Sequence, residues 1–334
     1  MEAEERGGDQ EENIPPLTQQ DFEDDDEPVD VESALKATNI VASLLDLYHV
    51  EYGEILPLPI VAEMCLLMVT DKRETAFGAA TQPDDAARSV SEALASPHAE
   101  KWIEAINKEM DAHKANGTWE LTELPEGRKV IGSRWVFIIK RNSDGTIDRY
   151  KARLVAQGFT QMPGVDYDQT FSPTTRLSAL RTILVKAAFN GEFIETIDVS
   201  NAYLNGEIES QYEVYMRQPE GFQQRGPNGE NWVCRLKKGL YGLKQSGRLW
   251  NQKLTVELER LGFAQIKSDP AVFVMEKDGV RIIMPVFVDD ITITSKDKSK
   301  ITWVKESLSK VFKLKDLGPT KFILGIQIDY DQAH

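Results

Sequence analysis

Two runs rich in β-branched residues, Val280 to Val288 and Ile291 to Ser295, are separated by nothing but Asp289-Asp290. Runs this close together read as an antiparallel strand pair. Two carboxylates at the junction of two apolar strands leave few arrangements, because an unpaired buried charge is costly. The acids sit either at a solvated hairpin tip or over a metal ion. A double Asp alone does not decide between these, since Asp84-Asp85 and Asp24-Asp25-Asp26 read as ordinary surface.

A second short apolar run, Phe193 to Val199, has Asp198 near its end and is followed by Ser200-Asn-Ala-Tyr-Leu-Asn205. One acid at a strand end and two at a hairpin tip can converge on a pair of hard cations. Mg²⁺ suits such a site, because it prefers carboxylate and phosphate oxygens and retains waters. The other reading is that Asp198 caps a following helix, a common use of Asp. Position leaves both readings open.

Charge does not argue against a nucleic-acid role. The net charge is −15, but residues 1–35 hold fourteen Asp/Glu and one Arg, leaving −2 for the rest. That segment, with Gly, Gln and Pro and almost no aromatics, predicts an acidic disordered tail. Lys and Arg cluster locally at Lys237-Lys238, Lys244, Arg248 and Lys253, and again from Lys296 to Lys315, as phosphate-binding footprints do. Cys65 and Cys234 cannot build a disulfide framework, and the four histidines lack zinc-site spacing, so a reducing compartment is expected. No run approaches the roughly 20 apolar residues of a membrane span, and no secretory signal is apparent.

Residues 36–99 read as a linker or upstream segment, with helical spacing from Ser33 to Tyr48 and a linker from Gly78 to Ala87. From about Glu100 the pattern strengthens. Trp102, Ile103, Ile106 and Met110 predict a helix stopped by Asn116-Gly117. Val130 to Arg141 and Arg149 to Gln157 predict a hairpin across Asn142-Ser143-Asp144-Gly145. Leu177 to Ala188, Leu249 to Leu261 and the Ile301, Val304, Leu308, Val311 series predict helices, and Phe322 to Ile328 a closing strand. Strands and helices mix without strict βαβ alternation, so the expected class is α+β.

Nine motifs then occur in one order. They are Asn116-Gly-Thr-Trp-Glu-Leu121, Ser133-Arg-Trp-Val-Phe137, Arg149-Tyr-Lys-Ala-Arg-Leu-Val-Ala-Gln-Gly-Phe159, Gly164-Val-Asp-Tyr167, Asp198-Val-Ser-Asn-Ala-Tyr-Leu-Asn-Gly206, Gln218-Pro-Glu-Gly-Phe222, Leu240-Tyr-Gly-Leu-Lys-Gln-Ser246, Phe287-Val-Asp-Asp290 and Phe322-Ile-Leu-Gly325. From Trp102 to Ile328 the chain resembles the reverse transcriptase of copia-type LTR retrotransposons. The resemblance implies right-hand polymerase fingers and palm over residues 100–330, with an antiparallel palm sheet backed by helices. It implies an RNA- and DNA-directed DNA polymerase that uses two Mg²⁺ ions, held by Asp198, Asp289, Asp290 and the Val199 carbonyl.

The resemblance also assigns roles to other residues. Tyr203 becomes the steric gate beneath the incoming sugar, where a core aromatic is the alternative. Lys151 and Arg153 become ligands of the β- and γ-phosphates, where exposed strand charge is the alternative. Tyr241-Gly242 becomes a loop under the templating base, with Gln245, Lys244 and Arg248 near template phosphates. Phe322, Leu324 and Gly325 become the primer grip, and Lys313 or Lys315 a proton donor to pyrophosphate. The implied partners are an RNA template, a DNA primer/template and deoxynucleoside triphosphates, with integrase and ribonuclease H domains in the same polyprotein. The implied location is a cytoplasmic virus-like particle, or the nucleus. No thumb follows the Phe322 motif, so the sequence reads as a Pol polyprotein fragment. The rival reading is a catalytically impaired remnant or a domesticated nucleic-acid-binding protein on the same fold.

Overall fold

The structure, a computed structural model, describes residues 86–142 and 144–330. The expected tail over residues 1–35, the helical spacing from Ser33 to Tyr48 and nearly all of the linker at 78–87 lie outside the described residues.

The described chain opens with α1 (Val90–Ala95) and α2 (Ala99–Asn116). Helix α2 buries Trp102 and Ile106 as the spacing predicts, while Ile103 is 44% exposed on its flank. It stops at Gly117, whose φ of 59° is left-handed and whose N–H returns to the last turn. Strands β1 (Trp119–Glu123), β2 (Val130–Ile131), β3 (Ser133–Arg141) and β4 (Ile147–Ala156) follow. The predicted strand from Val130 to Arg141 is thus two strands, broken at Gly132 and sent to different sheets.

The β3–β4 hairpin forms across the predicted turn, in register from Ser133↔Ala156 to Lys140↔Arg149. Its alternation separates two faces. Trp135, Phe137, Ile139, Ala152 and Leu154 are buried with Trp102 of α2. The opposite face carries Arg134, Lys140, Arg149, Lys151 and Arg153, paired among Val136, Ile138 and Val155.

The rest of the chain runs α3 (Leu177–Phe189), β5 (Phe193–Val199), β6 (Tyr215–Met216), β7 (Trp232–Leu236), α4 (Ser246–Leu261), β8 (Ala264–Gln265), β9 (Val272–Lys277), β10 (Val280–Phe287), β11 (Asp290–Ser295), α5 (Lys298–Ser309), β12 (Leu314–Pro319), β13 (Phe322–Ile323) and β14 (Ile326–Gln327). A six-stranded sheet of order β12-β5-β11-β10-β9-β8 is antiparallel throughout. A four-stranded sheet, β1-β7-β6-β2, contains one parallel pair, β2 with β6.

Helices cover the six-stranded sheet on both faces. Ile197, Val199, Ile282, Met284, Ile291 and Ile293 pack on Trp250, Leu254 and Leu258 of α4 and on Ile301, Val304 and Leu308 of α5. On the other face, Ile194 meets Leu180, Leu184 and Ala187 of α3, and Ile283 meets Ile183. Burial on both faces explains why β10 and β11 read as nearly continuous apolar runs. The α+β expectation agrees with this mixed architecture. One expected element differs: Phe322 to Ile328 is a tight hairpin, reversed at Leu324 (φ 47°) and Gly325 (φ 78°). Among the described residues no helix is long and apolar enough to cross a membrane.

Candidate active site

The sheet register brings Asp198 and Asp290 together. They are direct partners across β5 and β11, so both side chains lie on one face. The hairpin tip falls one residue earlier than the sequence suggests. Phe287 pairs with Asp290, so Val288 and Asp289 form the link and Asp290 is the first residue of β11. Val288 stands at φ 55°, a conformation strained for a β-branched residue. Two bonds hold this link: Trp250 Nε1 donates to the Val288 carbonyl at 2.8 Å, and Val199 N–H donates to the Asp289 carbonyl at 2.8 Å. Asp289 is thereby pinned to the end of the strand that carries Asp198. The helix-cap reading of Asp198 fails. Asp198 lies within β5, and the 3₁₀ turn that follows, Ala202–Asn205, begins after Asn201 and has no side-chain cap.

The three acids share one electrostatic environment. Burial, reinforced by the charge of Asp289, raises the Asp198 carboxyl above its ordinary value, while Lys315, Lys151 and Arg149 pull it down. Burial pushes Asp290 up to about 6, with further repulsion from Asp289 and Asp198. Lys315 faces Asp198 directly from β12. Lys151 is lowered by burial and by its cationic neighbours Arg153, Arg149 and Lys140. Among the described residues no three His, Cys, Asp or Glu side chains are gathered closely enough to cage a metal by themselves. Burial first, and neighbouring carboxylates second, hold the Asp198 and Asp290 carboxyls above their ordinary range, and the donors of the site are all oxygen. Such a set fits a hard divalent cation that takes its remaining ligands from water or phosphate.

Tyr203 projects from the 3₁₀ turn just after β5 and is half-buried. Its ring meets Tyr241 edge-on, with centroids 4.7 Å apart. The Arg153 guanidinium lies over the other ring, 4.3 Å from the Tyr241 centroid. Burial, and after it the charge of Asp289, raises the Tyr203 hydroxyl above its ordinary value. Gly242 has φ 91°, and a Cβ there would stand 2.1 Å from the Ala156 carbonyl oxygen at the end of β4. Its close backbone approach is therefore to another strand of the same chain.

The remaining candidates divide into inward and outward. Gln245 is buried, donating to the Asp166 carbonyl at 3.0 Å and accepting from Gln161 at 3.1 Å. Its amide is thus committed within the protein. Arg248 bonds to Glu209 at 2.7 Å, whereas the Lys244 side chain is exposed. Phe322 is 67% exposed, and Leu324 with Gly325 makes the reversal of its hairpin. Lys313 gives its carbonyl to Ser200 N–H, and Lys315, not Lys313, is the partner of Asp198. Sequence reasoning missed the proximity of Arg149 to Asp198 and the ring contacts of Tyr241. Both residues stood in motifs, but no spacing rule links them to their partners.

Comparison with known proteins identifies the family. Residues 116–333 match the family described as Reverse transcriptase (RNA-dependent DNA polymerase). The chain is 41% identical over 241 residues to the retrovirus-related Pol polyprotein from transposon TNT 1-94 of Nicotiana tabacum, covering 72% of this chain and 18% of that protein. It is 40% identical over 229 residues to the Pol polyprotein from transposon RE1 of Arabidopsis thaliana, covering 68% and 15%. It is 32% identical over 245 residues to the Ty1-DR5 Gag-Pol polyprotein of Saccharomyces cerevisiae, covering 70% and 13%. The chain thus spans less than a fifth of the length of each of these relatives. With an ordered motif series, an acidic strand junction and this match, the chain belongs to the reverse transcriptase family of copia-type retrotransposon Pol polyproteins.

Proposed function

We propose that this chain carries a nucleotidyl-transfer site that extends a DNA primer on RNA and DNA templates. On this reading the six-stranded sheet is the palm and the β3–β4 hairpin belongs to the fingers. The observation that carries it is the direct opposition of Asp198 and Asp290, with Asp289 pinned to Val199 N–H, beneath the field of Lys151 and Arg149.

Asp198, Asp289 and Asp290, with the Val199 carbonyl, would hold two Mg²⁺ ions, which supply Lewis-acid activation of the primer 3′-hydroxyl and stabilise charge on the leaving pyrophosphate. Lys151 and Arg153 grip the β- and γ-phosphates, Lys as a point charge and Arg through its fork. A bound polyanion would relieve the burial and cationic crowding that lower Lys151. Tyr203 lies under the sugar and excludes a ribose 2′-hydroxyl by ring bulk. Lys315, facing Asp198, is the residue placed to hand a proton to pyrophosphate. The Phe322 hairpin offers an exposed aromatic to the primer end, and Gln245 braces the loop that carries Tyr241 and Gly242.

The test is primer extension with purified protein, Mg²⁺ and all four deoxynucleotides on RNA and DNA templates, alongside Asp198→Asn and Asp289→Asn. Extension by the parent and not by the variants is expected. Salt-dependent primer–template binding with no extension would overturn the reading in favour of a nucleic-acid-binding remnant.

A further inference from the structure

The loop from Lys237 to Gln245 touches two separate elements. At one end Gly239 N–H donates to the Gly206 carbonyl at 2.8 Å, and Gly206 N–H donates to the Tyr203 carbonyl at 3.2 Å, so the loop is tied to the turn that carries Tyr203. At the other end Ala156 N–H donates to the Tyr241 carbonyl at 2.8 Å, so the loop is tied to the end of β4, the strand of Lys151 and Arg153. Between these ties, the Tyr241 ring contacts both the Tyr203 ring, with centroids 4.7 Å apart, and the Arg153 guanidinium, 4.3 Å from its centroid. An edge-to-face aromatic pair and a cation–π contact each fix orientation as well as separation.

This inference rests on the proposed function and deepens it. We infer that Tyr241 is a positioning residue that couples sugar selection by Tyr203 to triphosphate grip by Arg153. A ring held by one partner transmits displacement of that partner to the other. When Arg153 turns toward phosphate, Tyr241 keeps its Tyr203 contact and sets the height of the Tyr203 ring beneath the sugar. When the guanidinium is absent, the Tyr241 ring loses one of these two contacts and the Tyr203 ring gains freedom to yield to a 2′-hydroxyl.

The coupling makes a prediction that a simple phosphate role does not. The triphosphate is identical in ribo- and deoxyribonucleotides, so an uncoupled Arg153 affects both equally. The experiment measures single-nucleotide incorporation with matched ribo- and deoxyribonucleotides, comparing kcat and KM, for the parent protein and for Tyr203→Ala, Arg153→Gln, Tyr241→Leu and Tyr241→Phe. Arg153→Gln should raise KM for both nucleotides and also lower deoxyribonucleotide preference by roughly five- to thirtyfold, the scale of a 1–2 kcal/mol difference. Tyr241→Leu should lower that preference similarly, and Tyr241→Phe should keep it because ring and cation contact persist. Combined with Tyr203→Ala, Arg153→Gln should cost no further preference, the non-additivity of coupled residues.

Arg153 is half-buried on the hairpin face opposite the hydrophobic core, so Arg153→Gln tests the coupling even if Tyr241→Leu fails to fold. An Arg153→Gln protein with raised KM and unchanged sugar preference overturns the inference while leaving the proposed function standing. A parent that does not extend a primer, or a Tyr203→Ala variant with unchanged preference, overturns the underlying reading and the inference with it.

Discussion

Asp198 and Asp290 face each other across adjacent antiparallel strands, two carboxylates in direct register. Their proximity carries an energetic penalty in the metal-free protein. The folded protein holds Asp290 up to about 6 against an ordinary 3.8, so it binds protons more readily than the unfolded chain between those values. Its contribution to stability is therefore favourable below that window, falls as pH rises through it, and stays reduced above. Discounted for solvent screening, Asp290→Asn should stabilise the metal-free protein by about 1–2 kcal/mol at pH 7. At pH 3.5 the difference should vanish. Urea midpoints of both proteins in chelator at the two pH values check this.

On the proposed function, Asp198 and Asp289 should be distinguished from purely structural acids by rate. Asp198→Asn and Asp289→Asn should each lower extension by about 10³-fold or more, the rate equivalent of losing roughly 4 kcal/mol of charge stabilisation. Their melting temperatures should not fall. Single-turnover extension beside calorimetry distinguishes this from unfolding.

The Tyr203 ring should govern sugar choice. Tyr203→Ala should admit ribonucleotides, and Tyr203→Phe should keep the discrimination, because bulk and not the hydroxyl excludes the 2′-group. The ratio of ribo- to deoxyribonucleotide incorporation reports this, and an unchanged ratio in Tyr203→Ala would make Tyr203 a packing residue.

The strained link at Val288 depends on one indole. Trp250→Phe removes the 2.8 Å donor to the Val288 carbonyl while keeping an aromatic in the core. Loss of a buried hydrogen bond should cost roughly 1–3 kcal/mol of stability. Extension should also slow, because Asp289 is carried by the same link. Chemical denaturation and kcat, measured together, test both halves.

Gly242→Ala should fail for a reason internal to the protein. A Cβ at φ 91° and 2.1 Å from the Ala156 carbonyl forces the loop off β4. A destabilisation of at least about 2 kcal/mol is expected. A protein of parental stability would show that the loop has room to move.

Legibility in the sequence followed burial and local regularity. Helix α2, the β3–β4 hairpin and β5 are readable because apolar spacing and turn residues agree along a continuous stretch. Strands β6 and β2 are two residues each, and β12 carries Lys315 and Asp316 with a register shift, so none of the three shows a periodic signal. The hairpin tip was displaced by one residue because Val288 at positive φ contradicts its own preference, and only tertiary bonds to Trp250 and β5 make it so. The Phe322 run looks like one strand in the sequence because Leu324 gives no turn signal. At the site, the acids were legible as residues, but the opposition of Lys315 to Asp198 and the Arg153–Tyr241–Tyr203 stack depend on register and folding between distant segments.

Gly158 and Gly242 approach each other so closely that a Cβ on Gly158 would stand 2.0 Å from the Gly242 carbonyl oxygen. Every missense change in either glycine codon introduces a Cβ, so neither position has a tolerated single-base substitution by this geometry. Copies of a mobile element accumulate mutations once selection lapses. These two codons, remote in sequence from the three aspartates, therefore act as sentinels. A genomic copy that keeps its three aspartates but has lost either glycine encodes a protein whose chemistry is spelled out and whose scaffold can no longer close.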